Sequence, residues 1–462
     1  MSPMAMKLSR ERGFGAFMMI VFVLVLGASS VGLMFYNPRA ANAVDEKKVA
    51  EAIATAKEAL LAYAGRRGGV TGLARPGELP CPDMNNDGLE ETTCGAGAIG
   101  RLPWKTLGIP QPTDTAGETL WYAVAGAFRA QPSNTGRINS NTFGNLVVRD
   151  ADQVTQLATD VVAILFAPGA ALGGQNRAAS PAASCATTGT SIAPNLCAAN
   201  YLESSNSTTN GPFNATRGNG YWAYCRDSNA YFPAVQTCTS PWEHAAFNDR
   251  IAYIRTGEVI PVMEMRVGNE LKSLLAAYRR ESNCNCYPWA DSWSYSGGIA
   301  DVGLNRGRFP SVAYPQNWGQ GSIPPLPAWV TANDWQNLAY YAAGRQQTAG
   351  GGAACYFCSP ASTITVDAQP VSALVFLPGM PPPGVNRAAS GNRNNLAYYL
   401  DDAANQDGDD VTCPGASTEN ANRILNGTPP TVPLFCDAYA KPSSTSHNRD
   451  RLFTLTTPVG PL

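Results

Sequence analysis

The sequence predicts an α+β fold in which an N-terminal transmembrane helix is followed by a tandemly duplicated, disulfide-rich ectodomain. Each copy is expected to be a leading helix packed on a mainly antiparallel sheet. Three observations predict this: an uncharged apolar run near the N-terminus, a set of motifs that recurs in the second half of the chain, and twelve cysteines that all follow the apolar run. The composition agrees, since 44 glycines, 35 prolines and only 15% charged residues are typical of short strands and loops.

The predicted membrane helix is the run from Phe14 to Tyr36, which contains no charged residue. As a helix this run would span roughly 34 Å, enough for a bilayer core of about 30 Å. Three basic residues precede it, namely Lys7, Arg10 and Arg12. The positive-inside rule therefore predicts a cytoplasmic N-terminus and a single pass. The alternative is a cleaved secretory signal that exits at Ala40–Ala43, although such signals usually have a shorter apolar core.

An internal repeat organises the chain beyond this run. Phe166-Ala-Pro-Gly169 and Asn176-Arg-Ala-Ala-Ser180 recur with the same spacing as Phe376-Leu-Pro-Gly379 and Asn386-Arg-Ala-Ala-Ser390. Four further pairs align in the same order: Ala56–Tyr63 with Leu271–Tyr278, Leu120–Gly126 with Leu338–Gly344, Tyr201–Glu203 with Tyr399–Asp401, and Asn248–Ile254 with Arg449–Leu455. Collinear pairs predict a duplication. The expected divisions are a leader over 1–13, the membrane helix and stalk over 14–44, copy one over 45–260 and copy two over 261–462.

Each copy is predicted to open with an amphipathic helix, because apolar residues recur there at helical spacing. In copy one the stripe is Val49, Ile53, Ala56, Leu60 and Tyr63. In copy two it is Val262, Met265, Leu271, Leu274, Leu275 and Tyr278. Short apolar runs separated by Gly, Pro, Asn and Ser follow, which predicts a sheet packed against each helix.

The residues at the start of the apolar run resemble the leader of type IV pilin-like proteins, which include pseudopilins of type II secretion. Arg10-Glu11-Arg12-Gly13 is followed directly by Phe14 and the unbroken run. The resemblance implies that prepilin peptidase cuts after Gly13 and that the new N-terminal Phe14 is methylated. It also implies an inner-membrane anchor and a periplasmic or cell-surface ectodomain. The family's Glu at the fifth mature position is replaced by Met18, which is typical of the large minor subunit at a filament tip.

A second resemblance lies in copy one. Leu79-Pro-Cys-Pro-Asp83, Gly100-Arg-Leu-Pro-Trp104 and Leu120-Trp-Tyr-Ala-Val124 look like an uncharacterised proteobacterial family whose members carry pilin-like N-termini. This resemblance implies no established activity, but it favours a surface-filament role.

The twelve cysteines favour disulfides, because all lie on the predicted extracytoplasmic side and their number is even. Neighbour spacing predicts the pairs Cys81–Cys94, Cys185–Cys197, Cys225–Cys238 and Cys413–Cys436. Cys284 and Cys286 would join Cys355 and Cys358 in an order that the sequence leaves open. A zinc site made of these last four thiolates is the alternative.

A calcium site is the one cofactor expectation. Asp83-Met-Asn85-Asn-Asp87-Gly88 alternates oxygen ligands before a glycine turn, and Glu90 and Glu91 lie close enough to add carboxylates. An EF-hand proper is excluded, since its final Glu is replaced by Cys94. The competing interpretation is a loop of Asx turns with solvated acids. A second acidic loop, at 401–410, is less regular.

Nothing in the sequence specifies an enzyme. No nucleophile elbow, phosphate-binding Walker loop or H-E-x-x-H motif appears. His244 and His447 precede matching Asp-Arg segments, which favours a repeated structural role. Arg177 and Arg387, in the repeated N-R-A-A-S, are interpreted as buried arginines that tie a loop to backbone carbonyls, with carboxylate or sugar binding as the alternative.

The leading functional hypothesis is a non-enzymatic minor pilin or pseudopilin subunit, at or near the tip of a type IV pilus or type II secretion-like filament. Its partners would be other pilin-like subunits and a surface glycan or protein ligand. A net charge of −2 argues against nucleic acid. A stand-alone anchored adhesin or glycan-binding protein is the first alternative. Loop aromatics could form its stacking surface, with a place in the core as the competing interpretation; they are Tyr221, Trp222, Trp289, Trp293 and Trp318. An extracytoplasmic hydrolase that uses Asp83, Glu90 and Asp114 is the second.

Overall fold

The computed structural model describes residues 38–68, 75–95, 98–130, 136–149, 156–171, 177–178, 193–202, 220–222, 249–282, 287–293, 306–313, 316–344, 364–401, 438–439 and 449–456. These residues form an α+β fold with mainly antiparallel sheets, which confirms the predicted class. The predicted membrane run lies outside them. Among the described residues, no helix is both long and apolar enough to cross a bilayer.

The first long helix, α1, spans Pro38–Arg66. It is rich in Ala, Glu and Lys, all of which favour helices, and it ends just before Gly68, whose φ of +99° only glycine adopts readily. Burial on α1 follows the predicted stripe: Val49, Ala56, Leu60 and Tyr63 are buried, and Ile53 is half-buried. This face packs on the first sheet.

The first sheet has six strands. They are β1 (Ile99–Arg101), β2 (Trp121–Val124), β3 (Leu146–Arg149), β4 (Gln156–Ala167), β5 (Gly220–Trp222) and β6 (Arg250–Arg255). Their order is β1-β2-β4-β3-β5, and β6 also pairs with β4. All the pairs are antiparallel except β3–β5. A short helix, α2 (Trp104–Leu107), follows β1. Every residue of β4 from Val161 onward is buried, so this strand is the centre of the sheet.

The rest of the described chain opens with a second long helix, α3 (Thr256–Glu281). The elements that follow are β7 (Arg306–Arg308), α4 (Ala328–Ala332), α5 (Trp335–Leu338), β8 (Tyr340–Ala343), β9 (Ile364–Val366), β10 (Gln369–Val371), β11 (Ala373–Leu377), β12 (Ala438–Tyr439) and β13 (Arg451–Leu455). Strands β13-β11-β8-β7 form an antiparallel sheet, and β10-β9-β12 form a small mixed one. We call the described residues up to Arg255 the N-terminal half and those from Thr256 the C-terminal half.

The two main sheets share one strand register. In the N-terminal half, Phe166 of β4 lies opposite Trp121 of β2, and β6 pairs on the other side of β4. In the C-terminal half, Phe376 of β11 lies opposite Tyr340 of β8, and β13 pairs on the other side of β11. In both halves a phenylalanine three residues before the turn glycine therefore anchors a central strand.

This register corrects one detail of the sequence comparison. Aligning Leu120–Gly126 with Leu338–Gly344 equates Tyr122 with Tyr340, but the strand pairing puts Tyr340 in the place of Trp121. The sequence comparison matched one tyrosine with another, and this choice shifted the alignment by one residue. In a strand that error matters, because a shift of one residue exchanges the two faces of the sheet.

Helix α3 also differs from its predicted stripe. Met265 is 47% exposed, so its assignment to the buried face was wrong. The helix begins at Thr256, before the expected boundary between 260 and 261, and it includes Pro261. Its buried face runs from Leu271 toward the N-terminus of the helix through Val267, Met263 and Ile260, at helical spacing. Met265 lies off this face.

Helices α1 and α3 pack together, and their buried apolar residues join those of both sheets in one contiguous core. Two glycines permit close approaches. A Cβ on Gly65 of α1 would lie 2.6 Å from Val262, and a Cβ on Gly268 of α3 would lie 2.1 Å from the ring of Phe453 in β13. Glycine at 268 is therefore required by packing, although it weakens the helix.

We expect Gly268→Ala to destabilise the protein by about 1–3 kcal/mol, because the added methyl group must displace a buried ring. Gly257→Ala, in the same helix, is the matched control, since its Cβ would meet only Met380 at 3.4 Å. The control should be neutral or slightly stabilising. Denaturant unfolding of the full-length chain in detergent measures both variants. Equal stability for the two would contradict the packing argument.

Candidate functional site

Each half contains a buried arginine at the end of its edge strand. Arg101 ends β1 and Arg308 ends β7, and they are 4% and 2% exposed. Both come from a Gly-Arg-x-Pro sequence. The backbone of Arg101 exchanges two hydrogen bonds with Asp83, and that of Arg308 does the same with Asp291. The two arginines therefore enter the core from the same place in each half.

Aromatic rings surround both guanidinium groups. The Arg101 group lies 4.2 Å from the ring centroid of Trp121 and 4.3 Å from that of Tyr201. The Arg308 group lies 4.3 Å from the centroid of Trp293 and 5.8 Å from that of Tyr399. Burial lowers the pKa of both arginines. The π faces partly replace the hydration that a buried cation loses.

Backbone carbonyls complete the surroundings of these cations. Arg101 donates to the carbonyl of Thr119 at 2.7 Å. Arg308 donates to the carbonyls of Trp293 at 3.2 Å and Arg393 at 2.7 Å, and also to that of Asn337. Removing the arginine would leave these carbonyls without a donor, which would lower the stability of the protein. Each arginine therefore joins several loops to one strand end.

A second arginine in each half holds the repeated turn. Arg177 donates to the carbonyl of Gly169 at 2.8 Å. Arg387 donates to the carbonyls of Gly379 at 2.7 Å and Pro378 at 2.9 Å, and to that of Tyr398. Burial lowers the pKa of Arg387 to about 10. These contacts confirm that both arginines of N-R-A-A-S tie a loop to backbone carbonyls, but only Arg387 is fully buried, since Arg177 is half-buried and also pairs with Glu118.

The amide of each turn glycine is bonded to a carboxylate, but the carboxylates come from different places. The N–H of Gly169 donates to Asp114, in the loop before β2, at 2.7 Å. The N–H of Gly379 donates to Glu264, in α3, at 2.8 Å. Burial raises the pKa of both acids, and that of Glu264 rises to about 7. Glu264 is fully buried, and its position lay outside the sequence-predicted sites.

The predicted calcium ligands lie in a loop closed by the disulfide Cys81–Cys94, which confirms that pairing. Asp83 is buried, and its carboxylate accepts from the N–H groups of Asn85, Asn86, Asp87 and Gly88 at 2.6–3.3 Å. These are the contacts of a loop organised by Asx turns. Asp83 therefore fixes the shape of the loop from inside.

The remaining predicted ligands also have protein donors. Asn85 accepts from the N–H of Asp87, and Asp87 from that of Leu89. Glu90 accepts from the hydroxyl of Tyr63 at 2.9 Å, and Glu91 accepts from the N–H of Met84. Within the residues that the structure describes, His, Cys, Asp and Glu side chains form no group of three or more suited to a metal ion. Calcium binding stays a prediction.

Two of the aromatics considered for a stacking surface belong to the core. Trp289 is 5% exposed and Trp293 is fully buried against Arg308, so neither can present its ring to a glycan. Trp318 is half-buried and stacks on Phe309. The prediction of a surface role for Trp289 and Trp293 was wrong, because a position in a Gly- and Pro-rich segment does not by itself indicate exposure.

Several predicted residues lie outside the described ones. They include the processing residues Gly13 and Phe14, the histidines His244 and His447, and nine of the twelve cysteines. Cys197 is described and disulfide-bonded, but its partner is outside the described residues. Of the second acidic loop, Asp401 is described, and it forms an ion pair with Arg449.

Each of the three hydrolase candidates accepts hydrogen bonds from different protein donors. Asp83 organises its loop, Glu90 bonds to Tyr63, and Asp114 accepts from the N–H groups of Ala116 and Glu118 as well as Gly169. The arrangement of the described residues is suited to fixing loops against strands. The arginines of Gly-Arg-x-Pro could have been found in the sequence, since the motif occurs once in each half before the Tyr-rich strand.

Comparison of the chain with models of protein families, with curated proteins and with solved structures finds no match.

We expect Arg387→Lys to destabilise the protein by about 2–3 kcal/mol. A single ammonium group cannot reach the four carbonyls that the guanidinium serves, so buried acceptors lose their donors. Arg280→Lys is the control, because that side chain is 71% exposed. Denaturant unfolding measures both variants. A loss for Arg387→Lys no greater than for the control would contradict the proposed holding role.

We expect Asp83→Asn to destabilise the loop by about 1–3 kcal/mol in the presence of a chelator, because an amide cannot accept from all four N–H donors. Asp87→Asn, at an exposed position, should change stability little. Thermal unfolding measures both variants. Repeating the measurement with calcium tests the metal prediction: a rise in Tm that Asp87→Asn removes would support it. Equal loss for the two variants without calcium would contradict the loop role of Asp83.

Proposed function

We propose that the chain is a membrane-anchored, pilin-like minor subunit whose duplicated ectodomain lies at or near the tip of a type IV pilus or type II secretion-like filament. The observation that carries the proposal is Arg12-Gly13-Phe14 followed by an apolar run to Tyr36. The run has the length of a bilayer-spanning helix. A shared apolar helix is also what a helical assembly of such subunits would use as its core.

Helix α1 supports the anchored arrangement. It begins at Pro38, two residues after the apolar run ends, and it continues to Arg66. It packs on the first sheet and on α3. A helix that closely follows the apolar run and packs into the folded core is suited to joining a membrane segment to a folded ectodomain.

Matched contacts in the two halves support an origin by duplication. The central strands have one register, and the arginines of Gly-Arg-x-Pro occupy equivalent strand ends. The hydroxyl of Tyr122 donates to the carbonyl of Pro80, and the hydroxyl of Tyr341 donates to that of Pro288. Contacts between sequence-distant residues rarely recur in parallel by chance. A duplicated ectodomain is bulky, and bulk favours the filament tip, where neighbours do not crowd it.

The expected partners are other pilin-like subunits, which would contact Phe14–Tyr36. An adhesive role would need a surface other than Trp289 and Trp293, which are buried. The near-neutral charge of −2 is compatible with a protein or glycan ligand.

The mature N-terminus tests the proposal. We expect mass spectrometry of protein from its native membrane to find a chain that starts at N-methylated Phe14. Gly13→Val should block the cut because it crowds the residue before the scissile bond, while Gly27→Val, inside the apolar run, should leave the cut intact.

Two other N-termini would contradict the proposal. An intact leader in the native protein would favour a stand-alone anchored surface protein. A start near Asn42 would indicate secretion after signal cleavage. Normal filament assembly after deletion of the gene would exclude a role in initiating the filament.

A further inference from the structure

A segment of the N-terminal half, residues 137–144, lies against the C-terminal half. The N–H of Ile138 donates to the Asn333 side chain at 2.9 Å, and the Asn139 amide donates to the Asn333 carbonyl at 2.7 Å. At the other end, the N–H of Gly144 donates to the hydroxyl of Thr256 at 2.8 Å. We call residues 137–144 the docking segment.

Glu264 is the charged centre of this contact. Its Oε1 accepts from the Ser140 hydroxyl of the docking segment at 2.5 Å and from the N–H of Gly379 at 2.8 Å. Its Oε2 lies 3.3 Å from Nε of Arg451 and makes no hydrogen bond. Both Glu264 and Ser140 are fully buried. One carboxyl group therefore joins the docking segment to the repeated turn and to β13.

The charged groups that face Glu264 come from every element around it. Arg451 of β13 and Arg387 of the turn lower its pKa, and the Ser140 hydroxyl does the same. Asp450 is also buried, and burial raises its pKa to about 8, with the nearby Asp401 and Glu264 carboxyl groups adding to the rise. Desolvation is the largest effect and it outweighs the cations, so the pKa of Glu264 rises from 4.5 to about 7.

We propose that Glu264 is a pH-responsive latch, which holds the docking segment against the C-terminal half in mildly acidic solution and loosens it as the solution becomes alkaline. The latch depends only on the folded ectodomain, so it does not require the pilin-like function. If the ectodomain does lie outside the cytoplasm, the latch would follow the external pH.

The direction follows from proton linkage. Opening the segment returns Glu264 to water, where its pKa falls toward 4.5, so the closed form binds the proton more tightly. The closed form is fully favoured below the ordinary pKa and loses that advantage as pH rises through about 7. Between pH 5 and 8.5 the opening equilibrium should therefore rise by about 10- to 70-fold, the upper value applying if Glu264 becomes fully hydrated.

Hydrogen exchange of the full-length chain in detergent tests the latch. Exchange is followed by mass spectrometry at pH 5 to 8.5 and corrected for the intrinsic pH dependence of exchange. We expect protection of peptides that cover 137–144 to fall by 10-fold or more across this range. Peptides that cover the core of β4, Val161–Phe166, should keep their protection. Unchanged protection of the docking segment would overturn the proposal.

Variants separate the latch from general stability. Glu264→Gln keeps an oxygen acceptor but cannot titrate, so the 10-fold or greater fall in protection of peptides that cover 137–144 should be lost. Glu270→Gln, on the same helix but paired with Arg266, should behave like the native protein. Persistence of the pH dependence in Glu264→Gln, and its loss in Asp450→Asn, would assign the effect to Asp450 and overturn the proposal.

Ser140→Ala guards against a failure of Glu264→Gln to fold. It removes a hydrogen bond that lowers the pKa of Glu264. The fall in protection should therefore move to higher pH, which mere loss of a structural contact would not cause. An unchanged midpoint would contradict the latch.

Discussion

The burial of two guanidinium groups, those of Arg101 and Arg308, is the constraint on which both halves depend. A cation removed from water is expensive unless acceptors and π faces replace the lost hydration. Trp121 and Tyr201 supply the faces for Arg101, and they come from a strand and from a distant loop. The arginine is satisfied only when both elements are in place. Burial of the charge therefore couples the strand end, the following loop and the aromatic side chains into one cooperative unit.

The two halves satisfy the same turn in different ways, and the difference connects them. In the N-terminal half Asp114 bonds to the turn glycine from within that half. In the C-terminal half Glu264 does so from α3, and its carboxylate also accepts from Ser140 of the other half. An acceptor is needed in both places, because an N–H that is shielded from water must have one, and a carboxylate supplies it in each half. In the C-terminal half the acceptor is Glu264, which also contacts Ser140 of the N-terminal half.

The sequence predicts those features that depend on local periodicity, repeated motifs or residue spacing. The α+β class, the buried face of α1 and the central strand through Phe166 follow from periodicity and from the repeated turn. The Cys81–Cys94 pair follows from spacing. Met265 was misplaced because the stripe was extended back from the motif Leu271–Tyr278, and a residue six positions before Leu271 does not share its helical face. Glu264 was not predicted, since an acid on a helix ordinarily indicates solvent, and its partners are 124 and 115 residues away in the chain. The burial of Glu264 depends on tertiary contacts, and no repeated motif marks this residue in the sequence.

Helices α1 and α3 contact each other and connect the two main sheets. Lys57 of α1 forms an ion pair with Glu258 of α3 at 2.6 Å and donates to the carbonyl of Tyr253 in β6 at 3.1 Å. Farther along, Gly65 permits α1 to approach Val262 closely. Because α3 also packs on β11 and β13, a displacement of α1 is transmitted to both sheets through packed helices. The two halves should therefore move with α1 as one body, while the docking segment adds a contact whose strength depends on the protonation of Glu264.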